Sequence, residues 1–71
     1  MSVKVTLTNL AGSKTLISSR SMESAITWYA NATTPQGSDY SYRTTTRTAE
    51  YAMLVRNIPG SVHTLEFELL A

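Results

Sequence analysis

Residues 40 to 48 alternate with a period of two, setting Tyr40, Tyr42, Thr44, Thr46 and Thr48 against Ser41, Arg43, Thr45 and Arg47. Successive strand side chains point to opposite faces, so this pattern predicts a strand with two phenol rings on one surface and two guanidinium groups on the other. Rings and guanidinium groups together can hold single-stranded nucleic acid. Tyrosine and arginine are also among the residues that dominate protein interfaces. The plainer alternative packs the tyrosines under a helix near Tyr29 and leaves the arginines on a solvated outer face, because a small domain needs its aromatics for the core. On the functional reading, Tyr40, Tyr42, Arg43 and Arg47, with Arg56 further along, are the candidate binding residues.

Other reactive side chains are sparse. His63 is the single histidine, and Asp39 with one of the serines could complete a nucleophile, base and orienting acid. No Gly-x-Ser-x-Gly elbow accompanies them, and a lone histidine on an apolar strand face reads as a residue at the rim of the core. As a metal ligand it would need carboxylates brought in by the fold, since the chain has no cysteine. Glu66 and Glu68 fall two apart on one strand face, about 6–7 Å from each other. They could serve acid–base chemistry, but an edge strand made acidic against unwanted pairing is the preferred reading. Asn31-Ala32-Thr33 has the form of a glycosylation acceptor, which without a secretory signal is a chance match. Gly12, Gly37 and Gly60 stand alone in turns, so no phosphate-binding loop and no cofactor site are expected. The expectation is a non-enzymatic protein.

The elements that would position these residues follow from periodicity. Val3, Val5 and Leu7 alternate with Lys4, Thr6 and Thr8, predicting a half-buried strand from Ser2 to Asn9. Leu10-Ala11-Gly12-Ser13 reads as a turn, and Lys14 to Ser18 as the returning strand of a hairpin. Ser21 is the favoured N-cap of a helix running to about Ala32, with Glu23 in its first turn. Met22, Ala25, Ile26 and Tyr29 make its apolar stripe. Trp28 lies outside that stripe, either partly exposed or packed by a neighbouring loop. Pro35 disfavours helical geometry at Thr34 and ends the helix.

Ala49 to Arg56 is compatible with a short helix or with a strand carrying Tyr51, Met53 and Val55 on one face. Ile58-Pro59-Gly60-Ser61 decides for a strand, because Pro then Gly marks a type II turn. Beyond it His63, Leu65, Phe67 and Leu69 alternate with Thr64, Glu66 and Glu68. The expected architecture is one α+β domain over residues 1–71, an antiparallel sheet with one helix on one face, in the order ββαβββ.

Composition bounds the function classes. Six Lys and Arg against five Asp and Glu give a net charge of +1, too little for a general nucleic-acid coat. A chain of 71 residues has room for one small core, of marginal stability unless packing is good or the chain oligomerises. The apolar runs are far too short to span a bilayer, and the alternating N-terminus lacks the features of a signal peptide. A cytoplasmic location with no membrane contact is therefore expected.

In size and element order the chain is similar to many small phage and mobile-element proteins, which commonly bind and inhibit a host machine. That likeness implies an inhibitor or adaptor of a larger assembly, with a protein as partner. Nucleic acid held by the Tyr/Arg strand is the second reading. Self-assembly through exposed strands, a homodimer included, is the third.

Overall fold

The computed structural model describes residues 2–70. The order is β1 (Ser2–Asn9), β2 (Gly12–Ser18), α1 (Met22–Ala32), β3 (Arg43–Arg47), β4 (Tyr51–Ile58) and β5 (Ser61–Leu70). The five strands form one sheet in the order β2-β1-β5-β4-β3, every neighbouring pair antiparallel. This is the α+β, ββαβββ arrangement that the periodicity predicts. Among the described residues no helix is long and apolar enough to cross a membrane.

Two tight turns set the register. Leu10-Ala11 closes β1 on β2 at Asn9–Gly12, where the Ala11 N–H donates to Asn9 Oδ1 at 2.8 Å. Pro59-Gly60 closes β4 on β5 at Ile58–Ser61, with Gly60 at φ +80°, the positive value that position i+2 of a type II turn requires. Counting back from this second turn sets Leu54 beside Leu65, Ala52 beside Phe67 and Arg56 beside His63. On β5 the same residues meet β1, with Phe67 beside Val5 and Leu69 beside Val3.

One face of the sheet is therefore lined by Val3, Val5, Ala52, Leu54, Leu65 and Phe67, and α1 covers it. These six residues are buried, together with Met22 and Ala25 from the helix. Tyr29 reaches down from α1 to Phe67, with ring centroids 6.4 Å apart. Ser21 caps the helix as its sequence suggests, its Oγ accepting from the Ser24 N–H at 3.2 Å. Trp28 stays 47 % exposed, outside the buried stripe.

Among the described residues no helix lies over the opposite face. Register places Lys4, Thr6 and Thr8 of β1 there, with Thr64, Glu66 and Glu68 of β5 and Tyr51, Met53 and Val55 of β4. The more apolar-looking side of β4 thus faces outward, while Ala52, Leu54 and Arg56 face the helix.

The predicted strand over residues 40–48 is the main departure. Only Arg43–Arg47 is strand, and its ladder to β4 slips at Thr45: Arg43 and Thr44 pair with Val55 and Leu54, whereas Thr46 and Arg47 pair with Met53 and Ala52. Between Thr44 and Thr46 the pairing advances two residues on β3 for one on β4, which is a β-bulge. Thr45 Oγ1 anchors it by donating to the Met53 carbonyl at 3.1 Å.

Candidate functional site

The bulge parts the two arginines. Arg43 shares a face with Val55 on the uncovered side, and Arg47 shares one with Ala52 on the helix side. Simple alternation put them together, but one extra residue reverses the facing of everything after it. Arg47 lines a crevice between α1 and the sheet edge with Glu23, Ile26, Thr44 and Leu54. Arg43 lines a different concavity, of about 320 Å³, with Asp39, Tyr40, Ser41, Val55 and Asn57.

The two tyrosines also part. Tyr42 packs against the core, and its hydroxyl lies 3.2 Å from Thr33 Oγ1 at the C-terminus of α1. Thr33 Oγ1 itself donates to the Tyr29 carbonyl at 2.8 Å. Tyr40 precedes the strand and is 43 % exposed. The packed alternative thus describes Tyr42, and an exposed ring remains only at Tyr40.

Arg56 is 4 % exposed and occupies an inward position on β4. Its Nε donates to the Tyr40 carbonyl at 3.2 Å and its Nη2 to Ser38 Oγ at 2.8 Å. Ser38 Oγ donates in turn to the Tyr40 carbonyl and accepts from the Tyr40 N–H, both at 3.1 Å. The guanidinium is thereby spent on the Tyr40 carbonyl and the Ser38 hydroxyl. It holds the loop that carries Tyr40 instead of presenting a charge to solvent.

Glu66 and Glu68 lie on β5, the middle strand of the sheet, so the expected acidic edge is in fact an acidic centre. Glu66 Oε2 accepts from the Tyr51 hydroxyl at 2.9 Å. Glu68 stands between Lys4 and Tyr51 in register. The hydrogen bond to Glu66, burial and the two carboxylates together push the Tyr51 phenol above its ordinary pKa, the hydrogen bond contributing most. His63 faces the helix side beside Arg56. Among the described residues no group of three or more His, Cys, Asp or Glu is placed to hold a metal ion.

One surface escaped the sequence reading. Arg20 lays its guanidinium 4.8 Å from the centre of the Trp28 ring, and the Tyr29 ring meets that indole edge-on at 4.7 Å. Arg20 precedes the Ser21 cap and lies outside α1, so no helical spacing to Trp28 announces the contact in the sequence. The stacked pair occupies the outer side of the helix, and its cation–π contact tethers the segment entering α1.

The arrangement offers a broad sheet face of hydroxyls, scattered apolar side chains and mixed charge, with Tyr40 and Arg43 at one corner. Comparison with protein-family models, with curated proteins and with solved structures returned no match to this chain.

Proposed function

We propose that this chain is a non-enzymatic protein-binding module, an inhibitor or adaptor acting on a larger host assembly in the cytoplasm, of the kind phages and mobile elements encode. It engages its partner with the corner of the uncovered sheet face built by Tyr40, Arg43, Val55 and Asn57. The observation that carries this reading is the concavity in which an exposed ring, a guanidinium and an apolar side chain meet. Tyr and Arg beside a small apolar floor is the composition of an interface hot spot. Mixed charge on the face, Lys4 and Arg43 against Glu66 and Glu68, suits a protein better than a phosphate backbone, which calls for a continuous cationic track.

The bulge makes the test specific. Capture from host lysate on the tagged chain, with nuclease added, is compared for wild type, Tyr40→Ala with Arg43→Ala, and Arg47→Ala alone. Loss of a stoichiometric protein partner in the double variant, with retention in Arg47→Ala, is the expected result. Equal recovery by all three forms overturns the surface assignment. Recovery of nucleic acid, with nothing retained after digestion, moves the function to the second reading.

A further inference from the structure

The two edges of the sheet differ in how they resist pairing. At one edge β3 is five residues long, bulged at Thr45 and bounded by Arg43 and Arg47. Short length, bulges and charge are the devices that keep an edge from adding strands. At the other edge β2 runs seven residues, with no proline and an unbroken ladder to β1. Its one charge is Lys14, and Ile17 is 59 % exposed.

The hairpin fixes which backbone groups this edge presents. A two-residue connection makes Asn9–Gly12 a mutually hydrogen-bonded pair, and bonded and non-bonded pairs alternate from there. Lys14, Leu16 and Ser18 therefore bond inward to β1, while Ser13, Thr15 and Ile17 direct N–H and C=O groups away from the sheet. All three outward residues are exposed.

We infer that β2 pairs antiparallel with β2 of a second copy about a two-fold axis through Thr15, joining two sheets into one. This register overlaps the whole strand. It sets Thr15 beside Thr15 of the second copy, Ser13 beside its Ile17, and Lys14 beside its Leu16. No like charges stand directly opposite, and the lysine stem lies along an apolar neighbour. The hydroxyl contacts within each copy, Thr6 with Thr15 at 3.4 Å and Thr8 with Ser13 at 3.1 Å, continue across the axis at the Thr15 pair. That self-match selects a second copy as the occupant over an unrelated extended segment. An axis perpendicular to the sheet keeps both helices on one side and leaves both Tyr40–Arg43 corners free at the outer ends. The blunted β3 edges stop growth, so the assembly closes as a dimer.

The absence of native cysteine allows a direct test. In a hydrogen-bonded antiparallel pair the Cα atoms are about 5.5 Å apart, within disulfide reach of roughly 4.4–6.8 Å. Under mild oxidation Thr15→Cys should cross-link to a covalent dimer, whereas Ser13→Cys and Ile17→Cys alone should not, because each faces the other residue type across the axis. Sedimentation of the wild type over a wide concentration range should show a weak monomer–dimer equilibrium, as expected for a small interface. Thr15→Lys, which sets two ammonium groups together on the axis, should abolish it while the circular dichroism stays unchanged. A wild type that is monomeric throughout, species larger than a dimer, or equal cross-linking by the three cysteine variants overturns the inference.

Discussion

Arg56 gives the sharpest test of the packing argument. Replacing it with alanine removes two hydrogen bonds from an ionised donor, each worth about 1.5 kcal/mol at the lower end of the range. It also empties the space of the buried stem, about 2 kcal/mol for lost methylenes. Against these losses stands the refund from no longer burying a charge. The net cost of Arg56→Ala is about 3–4 kcal/mol, against a total of roughly 4–10 kcal/mol for a chain this long. With a urea slope near 1 kcal/mol per M, the unfolding midpoint should fall by about 3 M. Arg56→Met keeps the stem volume and the refund, and the Tyr40 carbonyl still accepts from Ser38 Oγ, so about 1–2 kcal/mol should be lost. In both variants amide exchange at Tyr40 should quicken, because Arg56 no longer steadies the Ser38 hydroxyl that its N–H donates to. Urea titration and exchange measured residue by residue decide the matter. An alanine variant within about 1 kcal/mol of wild type, below the low end of the loop-bond estimate, would refute the clasp. Unchanged exchange at Tyr40 in both variants would do the same.

Tyr51 predicts an alkaline weakness. Its folded pKa is raised, so its contribution to stability is complete below the ordinary tyrosine value near 10 and is lost as pH rises through the raised value. Urea midpoints of wild type and Tyr51→Phe, compared at neutral pH and above about pH 11, should converge at the higher pH. Parallel losses would show that the phenol is not responsible. Deleting Thr45 restores an unbroken ladder to β3 and, with it, an edge able to pair. Static light scattering should then report species larger than the wild type forms. An unchanged mass would mean that the bulge does not guard that edge.

How legible the site was depends on where each residue lies relative to an irregularity. The strands that alternate without interruption, β1 and β5, could be placed from their own residues. Helix α1 was equally plain, because Ser21, Glu23 and the Met22–Ala25–Ile26–Tyr29 spacing agree on one capped amphipathic turn after another. Burial of Arg56 was available in principle. The Pro59-Gly60 turn fixes the register by counting, and counting sets Arg56 on the same face as Leu54. An arginine among apolar neighbours nevertheless reads as exposed until a loop is seen to supply its acceptors. Residues 40–48 were the place where local pattern misled. A period of two carries no mark of a bulge, since the extra residue is defined only by the offset of pairing between two strands.

The sequence by itself determined the element order, the two hairpins and the single helix, because these follow from local periodicity, turn chemistry and capping. It also limited the reactive inventory to one histidine, a few carboxylates and no thiol. Tertiary structure alone decided which face of the sheet the helix covers, that Glu66 and Glu68 lie in the sheet's centre, that Arg43 and Arg47 part company, that Tyr42 turns inward, and that the 38–40 loop supplies acceptors to Arg56. Each of these depends on pairing between residues distant in the chain. A shift of one position there exchanges inside for outside along a whole strand, and no stretch of nine residues can register it.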